Sequence, residues 1–150
     1  MYEYNLEGER LKTLGPSGQA SNTGVTEFDY RSMNQAAGPY HFPTNLALAS
    51  DGQMFVSDGY GNARVHRFST DGQLIQSWGE PGDGPGQFHL PHGIFLDSNN
   101  RVFVADRENN RLQIFSTEGT FLEQWTEVVR PTNIFIDTEE NVFVSEVGKR

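Results

Sequence analysis

Three short runs along the chain place an apolar residue at every second position. They are Leu46 and Leu48 after Pro43-Thr-Asn, Ile94 and Leu96 after Pro91-His-Gly, and Ile134 and Ile136 after Pro131-Thr-Asn. Such alternation predicts strands with one buried face. Each is followed by a second apolar run: Met54-Phe-Val-Ser-Asp58, Val102-Phe-Val-Ala-Asp106 and Asn141-Val-Phe-Val-Ser-Glu146. Two copies continue further, one through Arg64, Phe68 and Asp71-Gly72 to Trp78, the other through Arg111, Phe115 and Glu118-Gly119 to Trp125. The copies are offset by 48 residues at Pro43 and Pro91 and by 47 at Trp78 and Trp125, so the second has lost one residue between its aspartate and its arginine. Asp51-Gly52, Asp71-Gly72, Asn99-Asn100 and Glu118-Gly119 are residues that tolerate the left-handed conformation of tight hairpins. A repeat of this length in four short strands predicts a β-propeller blade.

The repeat also orders the chain. Tyr4-Asn-Leu-Glu-Gly8 through Leu14-Gly15 aligns with Phe68-Ser-Thr-Asp-Gly72 through Trp78-Gly79, so residues 1–15 are expected to end a blade. Residues 16–42 are a long polar connection without either period, the kind of loop that serves as a lid or stays mobile. Residues 43–90 are expected to hold a complete blade and a glycine-rich linker, 91–130 a second complete blade, and 131–150 the first two strands of another. The linker (residues 80–90) is no phosphate loop, since no Gly-Lys-Ser/Thr follows it. The expectation is therefore an all-β chain, an incomplete propeller of about three four-stranded blades. A ring needs roughly 4–8 blades. An open arc leaves apolar faces and strand edges uncovered. The expected partners are the remaining blades of a longer propeller or, failing those, further copies of the chain; the first is preferred because both ends cut through a blade.

Composition narrows the class. The 150 residues include no cysteine, which removes disulfides and thiolate metal sites. A formal net charge of −9 argues against nucleic acid as a partner. The Met1-Tyr-Glu-Tyr-Asn-Leu start has neither the basic nor the apolar region of a signal peptide. No stretch reaches membrane-spanning length, so no membrane association is expected and the compartment is left open.

Candidate chemistry lies where the copies differ. Propeller loops converge at one mouth of the central channel, and there the first copy has Asp58-Gly-Tyr60 and Pro43-Thr44 against Asp106-Arg107-Glu and Pro91-His92 in the second. Tyr60, His92 and Arg107 are thus expected to approach one centre. A neutral imidazole ligates zinc, arginine grips carboxylates with paired hydrogen bonds, and a metal beside a guanidinium favours a phenolate. One histidine does not make a zinc site, because catalytic zinc takes three protein ligands. Of the other histidines, His66 is expected to face solvent from mid-strand, while His41 and His89 are expected in loops. The recurring Asp58, Asn62 and Arg64, with Asp106, Asn109 and Arg111, are read as architecture that ties loops to backbone. No paired glycosidase carboxylates and no Gly-x-Ser-x-Gly nucleophile motif occur.

The succession Asp58-Gly-Tyr60-Gly-Asn62-Ala-Arg64, Pro91-His92-Gly and Asp106-Arg107-Glu108-Asn109 resembles the NHL-repeat propellers, and among them the peptidyl-α-hydroxyglycine α-amidating lyases (peptidylamidoglycolate lyases) and their bacterial relatives. The resemblance is strongest over residues 37–126. It implies a six-bladed ring with zinc on its axis and a structural calcium ion, and cleavage of a peptidyl-α-hydroxyglycine to a peptide amide and glyoxylate. By the same resemblance His92 is a zinc ligand, Tyr60 the catalytic base and Arg107 a catalytic-site arginine acting on a small peptide-like or carbinolamide substrate. The family's two other zinc histidines, a further arginine and its calcium ligands match nothing here, so the isolated segment is expected to be inactive. Two alternatives stand: a non-catalytic NHL propeller that binds protein or peptide at its mouth, and a calcium-dependent lactonase-like hydrolase.

Overall fold

Short apolar runs separated by tight turns pair most readily with their sequence neighbours, and the computed structural model, which describes residues 1–148, shows this throughout. Lys149 and Arg150, the end of the expected 131–150 segment, lie outside the described residues. The strands are β1 (Tyr2–Tyr4), β2 (Arg10–Thr13), β3 (Pro43–Leu48), β4 (Met54–Asp58), β5 (Arg64–Phe68), β6 (Leu74–Trp78), β7 (Pro91–Leu96), β8 (Val102–Asp106), β9 (Arg111–Phe115), β10 (Phe121–Trp125), β11 (Pro131–Ile136) and β12 (Val142–Glu146). They form four antiparallel meanders: β1-β2, β3-β4-β5-β6, β7-β8-β9-β10 and β11-β12. The chain is all-β, an unclosed arc of propeller blades. Gly52, Gly72, Asn100 and Gly119 take positive φ at the hairpins, as their residue types predict, and Glu140 does so in the last hairpin.

The core lies between blades rather than within one. Phe55, Val65 and Trp78 of the first complete blade pack with Ile94, Val102 and Phe115 of the second. Phe103, Leu112 and Ile114 meet Ile134 and Ile136 of β11 across the next seam. Leu14 beside β2 packs with Met54, Val56 and Phe68. One expectation fails here. Leu46 is only partly buried and Leu48 is 62 % exposed, although their counterparts Ile94, Leu96, Ile134 and Ile136 are all buried. Their side of the blade faces β1-β2, which covers only its outer part, leaving an open groove lined by Tyr2, Lys12, Leu46 and Leu48.

The long connection is pinned at several points. It carries a single 3-10 turn at Tyr30–Ser32 started by the Asp29 side chain, which accepts from the Arg31 amide. Tyr40 and Thr23 are buried, and Asn62 bonds both the amide and the carbonyl of Ala37. Among the described residues no helix is long and apolar enough to cross a membrane.

Candidate functional site

The innermost strands β3, β7 and β11 lie side by side, each entered by a residue with positive φ: Phe42, Leu90 and Arg130, immediately before Pro43, Pro91 and Pro131. Two glycines set how closely they approach. A Cβ on Gly59 would stand 2.1 Å from the Pro91 carbonyl oxygen, and one on Gly93 would stand 2.8 Å from both the Asn133 Cα and the Thr132 carbonyl oxygen. Such distances exclude any side chain without backbone movement. Gly59 therefore lets the loop after β4 lie against the entrance of β7, and Gly93 lets β7 lie against β11.

That packing brings the three predicted residues together. The Arg107 guanidinium donates to the Tyr60 hydroxyl at 3.2 Å. The hydroxyl lies 3.3 Å from His92 Nε2, with the two rings edge to face. On its other side the imidazole meets the Thr132 carbonyl oxygen at 2.8 Å. A carbonyl can only accept, so Nδ1 carries the proton and the Nε2 lone pair faces Tyr60. The phenol oxygen then donates to His92 while accepting from Arg107. Burial lowers the proton affinity of His92, and the Arg107 charge lowers it further against the pull of the Thr132 carbonyl. The neutral tautomer is thus the favoured one.

Arg107 is held in turn by its neighbours. Glu108 accepts from Arg130 at 2.8 and 3.3 Å, and its carboxylate lies 3.3 Å from Arg107 Nε. Thr132 and Arg130 did not stand out in the sequence, and Glu108 did so only as part of the Asp106-Arg107-Glu108-Asn109 succession, although the match of Pro131-Thr132-Asn with Pro91-His92-Gly was a signal that β11 abuts the site.

The other histidines are placed elsewhere. His66 does not face solvent: it is fully buried, with Nε2 3.2 Å from Asp58 and Nδ1 2.7 Å from the Ser77 hydroxyl. Both faces of a blade are packed against neighbours, so a mid-strand position has no solvent side. His41 turns Nδ1 to the Thr23 hydroxyl, and His89 sets its ring edge-on to Tyr30. Of the recurring residues, Asp58, Asn62, Asp106, Asn109 and Arg111 act as architecture. Asp58 accepts from the His41 amide and Asn62, while Asp106 accepts from the His89 amide, Asn109, Arg111 and Gln113.

For a metal, the fit is partial. His92 presents an unprotonated nitrogen, as a ligand must. Among the described residues, however, no group of three or more His, Cys, Asp or Glu side chains converges as a metal site.

The NHL repeat family model matches residues 88–115. The mouse peptidyl-glycine alpha-amidating monooxygenase is 46 % identical over 96 residues, covering 59 % of this chain and 10 % of that protein. A probable peptidyl-alpha-hydroxyglycine alpha-amidating lyase of Caenorhabditis elegans is 42 % identical over 81 residues, covering 51 % and 23 %. These are NHL-repeat propeller blades, related to those of the amidating lyases. The mouse NHL repeat-containing protein 3 is 34 % identical over 126 residues, covering 82 % of this chain and 33 % of that protein. The chain thus spans about a tenth to a third of the curated relatives named here. Among solved structures, virginiamycin B lyase from Staphylococcus aureus superposes with a TM-score of 0.62 at 15 % identity over 95 % of this chain and 40 % of that one, a likeness of fold.

Proposed function

We propose that Tyr60, His92 and Arg107 form part of the catalytic site of a carbinolamide lyase acting on peptidyl-α-hydroxyglycines. The observation that supports this most directly is the Tyr60 hydroxyl bracketed by the Arg107 guanidinium at 3.2 Å and the His92 Nε2 at 3.3 Å. Tyr60 is the base: once its own proton has passed to solvent, its phenolate takes the substrate hydroxyl proton, the C–OH becomes the aldehyde carbonyl of glyoxylate, and the C–N bond breaks. The departing amide nitrogen recovers that proton from the Tyr60 hydroxyl, leaving a peptide amide. Arg107 stabilises the phenolate and pairs with the substrate carboxylate. The described residues supply one imidazole toward a zinc ion and no complete site for it, so no step is derived through a metal.

A second reading has its own support. A mouse NHL repeat-containing protein that matches 82 % of this chain has a name that states no reaction, and a binding propeller would need no convergent metal ligands. The two separate on glyoxylate release from an α-hydroxyglycine-capped peptide, with and without added zinc, using the chain and a closed propeller that contains it. Release from the closed ring that is lost in Tyr60→Phe supports the lyase. A folded, zinc-loaded ring that binds peptide without releasing glyoxylate supports the binding module.

A further inference from the structure

We propose that Arg130 is a positioning residue for the site: by engaging Glu108 it keeps that carboxylate from drawing Arg107 off the Tyr60 hydroxyl. The consequence for catalysis rests on the lyase reading; the arrangement of the side chains does not.

Arg107 and Glu108 stand on the 3-10 turn Arg107–Asn109 that follows β8, and Arg130 stands on the connection into β11. The side chains of Arg107, Glu108 and Arg130 are only 13 %, 15 % and 12 % exposed, so their contacts escape most of the screening that makes surface ion pairs weak. One carboxylate oxygen, Glu108 Oε1, faces both guanidiniums. It accepts from Arg130 Nη2 at 2.8 Å and from Arg130 Nε at 3.3 Å. It also lies 3.3 Å from Arg107 Nε, yet that nitrogen is buried and makes no hydrogen bond among the described residues. Arg107 is left in ion-pair contact with Glu108 and turns Nη1 to the Tyr60 hydroxyl at 3.2 Å.

A guanidinium and a carboxylate favour two parallel hydrogen bonds. Turning the Arg107 fork toward Oε1 to satisfy Nε would swing Nη1 away from the phenol. The two hydrogen bonds from Arg130 take up the lone pairs of that oxygen and remove the competition. Arg130 is well anchored for this. Its amide donates to Asn110 Oδ1 at 3.0 Å, and its carbonyl accepts from the Val147 amide at 3.3 Å. The turn itself is fixed separately, by the Arg107 amide on the Leu90 carbonyl at 3.2 Å and the Glu108 amide on the His89 carbonyl at 3.0 Å. Removing the Arg130 side chain therefore leaves these backbone contacts in place. The entrance of β11 then orients both neighbours of Tyr60: the Thr132 carbonyl sets the His92 tautomer, and Arg130 sets Arg107 through Glu108.

Nuclear magnetic resonance of the chain itself tests this, through the nuclear Overhauser effect from the Arg107 guanidinium protons to the Tyr60 ring, assigned by its loss in Arg107→Lys. Arg130→Met should weaken that signal severalfold. Glu108→Gln should keep it, and Arg130→Met combined with Glu108→Gln should restore it, because the competing carboxylate is then gone. An unchanged signal in Arg130→Met, or its loss in Glu108→Gln, overturns the proposal. Equal loss in the double variant also overturns it, since Arg130 would then act by filling space. Should the methionine variant not fold, Arg130→Lys keeps the charge but presents a compact point donor in place of the fork. It should give an intermediate signal, and an undiminished one would likewise overturn the proposal. None of these readouts requires turnover, so the lyase reading can fail without affecting them.

Discussion

The two complete blades share a backbone and differ in what they do with it. At the channel side of the first, the Thr44 hydroxyl donates to Ser57, and also to the Pro91 carbonyl of the next blade. The half-blade β11-β12 repeats the arrangement with Thr132 and Ser145. In the blade between them the threonine is His92 and the serine is Ala105, so the local hydroxyl pair is gone and the imidazole is free to face Tyr60. A matched pair of substitutions turns a structural bond into a chemical group without altering the strand. The buried aspartates show a parallel trade. Asp58 is served by His66, whereas Asp106 is served by Gln113 and by Arg111, whose guanidinium also reaches Asp83, Gly84, Gln87 and Gln124. Arg64, the counterpart of Arg111, has no partner for its Nε among the described residues.

The largest effect should come from that last contrast. Arg111→Ala leaves the Asp106 carboxylate buried without its cation and should cost about 3–5 kcal/mol, while Arg64→Ala should cost well under half as much; urea denaturation of both variants measures the gap. Equal losses would show that the two arginines do the same work. His66→Leu comes next. It deprives buried Asp58 of a donor and should cost about 1–3 kcal/mol, with His66→Gln, the residue of the other blade, recovering part of it.

Gly59→Ala should also cost about 1–3 kcal/mol, because the new methyl meets the Pro91 backbone, and it should move Tyr60 away from His92. The His92 imidazole signals in a long-range nitrogen–proton spectrum would report the displacement. The smallest effect on stability is expected from the double variant His92→Thr with Ala105→Ser, which installs the first blade's pair in the second and should stay within about 1 kcal/mol of the parent. Its value lies in pH dependence. Burial holds His92 below its ordinary value, so as pH falls through about 6.5 the unfolded chain takes up the proton first. Stability should therefore drop from that point and level off below the folded-state value, and the double variant should lose this component. A parent chain with no such step would mean that the imidazole is not held neutral by its surroundings.

Much of the fold was legible because a blade is local. Every hairpin joins sequence neighbours, so alternation and turn residues alone indicate the all-β class and the repeat. The convergence of Tyr60, His92 and Arg107 followed from repeat geometry, since equivalent positions in successive blades approach one axis. Residues whose role depends on the next blade were harder to read. His66 was misjudged because strand alternation cannot tell a sheet with one buried face from one with two. Leu48 was misjudged for the converse reason: its exposure depends on how little of the neighbouring blade β1-β2 supplies.

The sequence by itself determined the strands, their turns and the residue types at the mouth, all consequences of contacts between close neighbours along the chain. Tertiary structure decided the tautomer of His92, fixed by a carbonyl 40 residues away, and the approach of Tyr60, fixed by the space that Gly59 leaves at Pro91. Both depend on the packing of one blade against the next, and no periodicity within a blade encodes that distance.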